Sequence, residues 1–317
     1  MGRPFLVRWG SSPYERPEGL DLEAQVAHRL GVGYRAEPQG APVGVLADAD
    51  VVVVTSLTRV GPAELDVASR CRLLITTTSG YDHIDVPAAV ARGVAVARMP
   101  LARAEAVAQS ALAMGMSMLR GLPVLQHAAQ QGHWARTELP ELGLARIADE
   151  PVGLIGIGVI GARVAQLLAG LGCELLGHDP AGVPAGVQAV SLATMLSRCR
   201  LVSLHCRHER GAPPVLDGSL LRSARPDLLL VNTARGGVLD LTAALAQLEV
   251  ERLGGLALDV FPREPWPGLQ QLASHPRVLL TPHAAGFHPR LHIDIATELE
   301  AVLTAWMQGS ALPGRVA

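Results

Sequence analysis

The sequence predicts an α/β protein built on doubly wound parallel sheets, with its 317 residues divided between two domains. Short apolar runs recur along the chain, separated by helix-length stretches, which is the pattern of βαβ units. Several of the runs are apolar at every position, as in "VVVV" at 51–54 and "LLLV" at 228–231, and so read as strands buried on both faces. The length exceeds what a single core encloses.

Taken in order, "MGRPFLVRWGSS" opens the chain as a first strand; it lacks the long apolar stretch of a signal peptide. Further strands are predicted at 51–54, 73–76 ("LLIT"), 94–97 ("VAVA") and 152–155 ("VGLI"). The series continues with 174–177 ("ELLG"), 201–204 ("LVSL"), 228–231, 256–260 ("LALDV") and 278–280 ("VLL"). Residues 102–120, free of proline and rich in helix formers, predict a long helix joining the domains. Val107, Ala111, Met114 and Met118 form its packing stripe. Segment 121–150 is broken by Pro123, Gly132, Pro140 and Gly143, and a last helix is predicted over about 291–308. The tail "GSALPGRVA" reads as polar and glycine-rich.

Composition narrows the function. All 27 basic residues are arginine, scattered along a chain of net charge −2, which argues against nucleic acid as a partner. Mean hydropathy is +0.27, yet no apolar run approaches the ~20 residues of a membrane span. A cytoplasmic protein is expected. Cys71, Cys173, Cys199 and Cys206 show neither CxxC spacing nor a zinc-ligand pattern, so they read as buried reduced thiols, and no metal is expected.

The strongest local motif is "VGLIGIGVIGARVAQLLAGLGCELLGHDP". A strand runs into Gly156, Gly158 and Gly161, and a helix with Val164, Leu167, Leu168 and Leu171 on one face follows. An acidic residue, Asp179, ends the next strand. That context makes GxGxxG a dinucleotide fingerprint. Gly156 permits a tight turn, Gly158 a close approach of pyrophosphate, and Gly161 close packing of helix on sheet. The amides at the helix start, Val159 and Ile160 included, face the phosphates. Asp179 accepts from ribose hydroxyls and repels a 2′-phosphate, and no arginine follows to offset it. NAD is the cofactor expected.

Three later runs each lead to a functional side chain: Arg235 after "LLLVNTA", Glu264 after "LALDVFPR" and His283 after "RVLLTP". Strand ends of a doubly wound sheet converge on one crevice. Arginine holds carboxylate and carbonyl oxygens in a planar fork. Histidine moves the proton that accompanies hydride transfer, and a carboxylate bonded to it keeps it oriented and basic. Singly each side chain has a structural explanation; together, behind the fingerprint, they point to redox chemistry on an α-hydroxy or α-keto acid.

In that order, "GLIGIGVIG", "VNTARGGVLD", "GLALDVFPREP" and "LLTPHAAG" resemble the D-isomer-specific 2-hydroxyacid dehydrogenases, as does "LLITTTSGYDHIDVPAAVARGVAVARMP" upstream. The resemblance implies two Rossmann-like domains with the active site in the cleft between them. It makes 1–100 plus 288–317 a discontinuous substrate domain and 101–287 the NAD-binding domain. It implies Arg235, Glu264 and His283 as the catalytic triad, with the backbone amides at Ser79 and Gly80 on the substrate carboxylate. Asp259 is implied beside the nicotinamide carboxamide, and Thr233, Ala234 and Gly286 near the nicotinamide half. His205 and the following Cys206 are implied on the cofactor side, and a homodimer paired through the cofactor domain is expected.

The sequence also departs from the family pattern. After His205 it reads Cys206-Arg207-His208-Glu209-Arg210, more basic than the family's proline-containing segment, with Arg207 expected in solvent or on pyrophosphate. Gln109 replaces the acid of a "VAE" motif. Thr55 precedes Ser56 where phosphoglycerate-using relatives carry arginine, with Arg59 further on. The chain ends at 317, from which no C-terminal regulatory domain is expected. The activity expected is NAD-dependent hydride transfer on a small D-2-hydroxy or 2-keto acid, of the glyoxylate or hydroxypyruvate kind. The alternatives are phosphoglycerate or phosphite oxidation by the same triad, or an NADH-sensing, corepressor-like binding protein.

Overall fold

A computed structural model describes residues 3–12, 15–209 and 211–317. The chain divides into two compact units, 1–104 with 288–317 and 105–287.

In the first unit five strands form one all-parallel sheet: β1 (Phe5–Trp9), β2 (Gly33–Glu37), β3 (Val51–Val54), β4 (Leu73–Thr76) and β5 (Ala95–Arg98). Their order is β2-β1-β3-β4-β5, a doubly wound arrangement. Alternation along each strand sends side chains to opposite faces. Val51 and Val53 pack in a core with Leu299, Val302 and Leu303 of the C-terminal helix Leu291–Met307. Val52 and Val54 pack in a second core with Leu65 and Ala89.

Two features depart from the sequence expectation. β2 was not foreseen, because "GYRAE" at a half-exposed sheet edge carries no apolar run. The tail is not merely polar: the Val316 amide donates to Val96 O at 2.8 Å, and the Arg98 amide donates to Gly314 O at 3.0 Å. The last residues thus cover the free edge of β5, which would otherwise expose unpaired backbone groups.

The second unit holds a seven-stranded parallel sheet: β6 (Val152–Ile155), β7 (Leu175–His178), β8 (Gln188–Ala189), β9 (Leu201–Leu204), β10 (Leu229–Asn232), β11 (Gly255–Leu258) and β12 (Val278–Leu280). The order β12-β11-β10-β9-β6-β7-β8 reverses between β6 and β9, and this reversal is where such sheets bind ligands. The two-residue β8, exposed at the edge, was not foreseen. Val107, Ala111, Met114 and Met118 of the helix Ala104–Leu119 are all buried, as the stripe predicts. The broken segment 121–150 forms a helix, Leu122–Gln130, and two short 3-10 turns.

The four cysteines are free thiols; Cys71 and Cys199 are buried, whereas Cys173 and Cys206 are only half-buried. Among the described residues, no helix is long and apolar enough to cross a membrane.

Candidate active site

At the end of β6 the chain turns through Gly156, whose φ of +86° is left-handed. A side chain there would also lie 2.4 Å from the Cys206 amide nitrogen, so Cys206 packs directly on the turn. A Cβ at Gly161 would lie 2.1 Å from the Gly156 carbonyl oxygen, whereas one at Gly158 would meet nothing within 4 Å. Two glycines are therefore demanded by the fold, and Gly158 leaves an open approach to the backbone. The helix Val159–Gly170 makes its first backbone bond from the Ala162 amide to Gly158 O. The amides of Val159, Ile160 and Gly161 are thus left at the helix end, where an anion is favoured. Asp179 braces this turn, its Oδ2 accepting from the Ile157 amide at 2.6 Å and its Oδ1 from the Ala181 amide at 2.8 Å.

Across the switch point, the His205 amide donates to Ile155 O at 2.7 Å. Both nitrogens of its ring are enclosed without a hydrogen-bond partner, and burial pushes its pKa down to about 4. Thr233 Oγ1, at the end of β10, is likewise enclosed and unpartnered. Unsatisfied polar atoms, a helix end with free amides and an open Gly158 fit a dinucleotide. Cys206, with its thiol pushed up to about 11 by burial, contributes backbone and shape there rather than reactivity. Arg207 is exposed; Arg210 lies outside the described residues.

The ends of β10, β11 and β12 carry the second group. Asn232 closes a tight turn: its Oδ1 accepts from the Ala234 amide at 3.0 Å and its Nδ2 donates to Arg235 O at 3.0 Å. The Arg235 side chain donates from Nη1 to Ala234 O at 2.8 Å. A Cβ at the next residue, Gly236, would lie 1.9 Å from the Phe261 carbonyl carbon, so only glycine lets this turn pass the β11 loop.

His283 and Glu264 are in direct contact, with Nδ1 2.7 Å from Oε2. An ionised carboxylate only accepts, so Nδ1 carries the hydrogen and Nε2 is left to exchange a proton. Glu264 Oε1 accepts from the Phe261 amide at 3.0 Å. Burial acts to raise the Glu264 pKa, but the bond and charge of His283, the Phe261 amide and the Arg235 charge outweigh it and hold the carboxyl below its ordinary range.

His283 sits at a left-handed φ of +54°. Asp259, 1% exposed, fixes it there. The Asp259 carbonyl accepts from the His283 amide at 2.8 Å, and its Oδ1 accepts from Thr281 Oγ1 at 2.6 Å and the Ala284 amide at 2.8 Å. The Ala285 amide, just before Gly286, also donates to this carboxylate at 3.2 Å.

In the first unit, Ser79 and Gly80 form a turn after β4, and their amides find no acceptor among the described residues. Sequence reasoning gave no role to Asn232 or Thr281, nor to Asp259 as the anchor of the His283 loop. Asn232 had a readable signal, since asparagine two residues before a turn amide is an Asx-turn pattern. The Asp259 contacts span 22 residues or more and leave no local trace.

Comparison with known proteins places this geometry. Residues 112–285 match the model of the D-isomer specific 2-hydroxyacid dehydrogenase, NAD binding domain. The chain is 27% identical over 307 residues to a D-3-phosphoglycerate dehydrogenase of Synechocystis sp., covering 94% of this chain and 53% of that one. The chain thus spans about half the length of the curated relatives it matches first. Among solved structures, an acyclic imino acid reductase in complex with NADPH and D-Arg superposes with a TM-score of 0.85 at 22% identity, over 99% of this chain and 100% of that one. A D-lactate dehydrogenase from Aquifex aeolicus, complexed with NAD and lactic acid, gives 0.82 at 23% identity over 96% of each chain. At these identities the two structures share the fold.

Proposed function

The chain belongs to the D-isomer specific 2-hydroxyacid dehydrogenase family, and we propose that it interconverts a small D-2-hydroxy acid and its 2-oxo acid with NAD. The observation that carries this reading is the 2.7 Å His283–Glu264 contact, with the Arg235 charge acting on it, in the same unit as the dinucleotide turn.

Bound at that turn, the nicotinamide cofactor supplies the hydride for reduction. The amides of Val159, Ile160 and Gly161 hold its pyrophosphate and Asp179 its ribose hydroxyls. His205, Cys206, Thr233, Ala234, Asp259 and Gly286 serve the nicotinamide side. Arg235 clamps substrate oxygens, and the Ser79 and Gly80 amides take the substrate carboxylate. His283 Nε2 gives its proton to the carbonyl oxygen in reduction and takes it back in oxidation. Glu264 stabilises the imidazolium through Nδ1. In this reading 1–100 with 288–317 is the substrate domain and 101–287 the cofactor domain.

A glyoxylate- or hydroxypyruvate-like acid is the substrate favoured. Similarity to a phosphoglycerate dehydrogenase supports a second reading on that acid. The half-buried and buried free thiols support a reducing, cytoplasmic compartment. Trp134, 82% exposed, with Leu122 and Leu139 exposed nearby in sequence, supports a homodimer paired through the second unit.

Arg235→Ala and His283→Ala are expected to lower turnover by at least ~10²–10⁴-fold while NADH affinity stays within about twofold. Parallel loss of NADH binding in titration contradicts the assigned roles. A panel of glyoxylate, hydroxypyruvate, pyruvate and phosphohydroxypyruvate with NADH, run beside phosphite with NAD, separates the substrate readings.

A further inference from the structure

Three of the carbonyls in the turn after β4 are already engaged. Arg103 Nη1 donates to the Thr77 carbonyl. Arg98 Nη1 donates to the Ser79 carbonyl at 3.0 Å, and Thr78 Oγ1 to the Gly80 carbonyl at 2.8 Å. The turn also offers donors, the free amides of Ser79 and Gly80. With the Thr77, Ser79 and Gly80 carbonyls covered, the Ser79 and Gly80 amides free and two guanidiniums against it, the turn presents a positive field to an incoming group.

Arg103 is the unusual member of this set. It is 8% exposed. Nη1 has the Thr77 carbonyl, but Nη2 is enclosed with no acceptor, and so is Thr77 Oγ1 on the same stretch. Glu298, the buried carboxylate in this neighbourhood, is committed elsewhere: it accepts from the Leu101 amide at 3.1 Å and the Ala102 amide at 2.9 Å. No ion pair joins it to Arg103 among the described residues. A role as a strut for the Thr77 carbonyl accounts for Nη1 alone. Glu298 supplies a neighbouring opposite charge but no hydrogen bond, so Nη2 remains an enclosed donor without an acceptor. Such a donor is costly to the fold, and it calls for a partner that arrives from outside.

We propose that Arg103 is a substrate-binding residue, its Nη2 donating a charge-assisted hydrogen bond to the carboxylate that the Ser79 and Gly80 amides hold. The inference rests on the dehydrogenase reading above, and it adds a specificity. The turn takes a free carboxylate and disfavours the corresponding neutral amide, because the amide gives Nη2 and the two backbone amides only a neutral acceptor and brings donors of its own against them.

Oxalate, a non-reacting dicarboxylate of 2-oxo acid size, is the probe. Its binding is measured calorimetrically on the full chain with NADH present, for wild type, Arg103→Lys and Arg103→Gln. The lysine variant keeps a donor for the Thr77 carbonyl but lacks the second nitrogen. Its oxalate Kd is expected to rise roughly tenfold to a hundredfold, the effect of one hydrogen bond to a charged group, while NADH affinity stays within about twofold. In turnover the same loss appears in KM rather than kcat. Unchanged oxalate affinity in both variants overturns the proposal, as does a wild type that binds no oxalate. If both variants lose NADH binding as well, Arg103 is a strut and the proposal is overturned. Arg103-dependent oxalate binding without turnover of any 2-oxo acid sinks the dehydrogenase reading and leaves this one standing.

Discussion

His283 is held in a conformation that costs roughly 1 kcal/mol or more for a residue with a Cβ, and the contacts around it explain why it persists. Asp259 anchors the loop from below, and Glu264 fixes the ring by Nδ1. Glu264→Gln is expected to cut turnover by ~10–100-fold, because the imidazolium loses its ionised partner while the side-chain shape is kept. The folded Glu264 pKa lies below its ordinary value. Stability from this group is therefore present above the ordinary glutamate range and lost as pH falls through the lowered value. Urea unfolding of Glu264→Gln between pH 6 and 3 is expected to lack that share of the acid loss. Arg235, Glu264 and His283 were legible in sequence because each follows an apolar run at a strand end. Asn232, Thr281 and Arg103 were not, because what defines them is a backbone group delivered by the fold, such as the Thr77 carbonyl for Arg103.

At the level of elements, glycines separate structural from functional demands. Gly236→Ala places a carbon 1.9 Å from the Phe261 backbone, so the turn carrying Arg235 must move. A loss of about 1–3 kcal/mol or more in denaturant stability and loss of turnover are expected together. Gly158→Ala meets nothing within 4 Å. Stability is expected to change by less than about 1 kcal/mol while NADH binding weakens at least about tenfold. A Gly158→Ala protein that binds NADH normally contradicts the pyrophosphate assignment. Strands buried on both faces, such as β3 and β10, were plain in the sequence because burial demands continuous apolar runs. The edge strands β2 and β8 were not, since a half-exposed edge imposes no such pattern. The tail failed for a related reason: backbone pairing with β5 needs no particular side chains.

For the molecule as a whole, two doubly wound sheets follow from alternating apolar runs, and the chemistry follows from what their strand ends carry. His205 ties stability to pH. Its folded pKa of about 4 lies below the ordinary 6.5, so the unfolded chain takes up a proton first as pH falls. Stability is expected to drop by roughly 3 kcal/mol from this group between pH 6.5 and 4, and His205→Leu is expected to flatten that slope. The central claim is that the Arg235, Glu264 and His283 constellation reduces 2-oxo acids stereospecifically with NADH. Its most direct test is to follow NADH consumption by wild type and His283→Ala with glyoxylate, hydroxypyruvate and pyruvate, and to resolve the enantiomer formed from pyruvate. Turnover that yields the D-product and vanishes in His283→Ala is the predicted result. An L-product, or NADH binding without turnover of any acid, contradicts it.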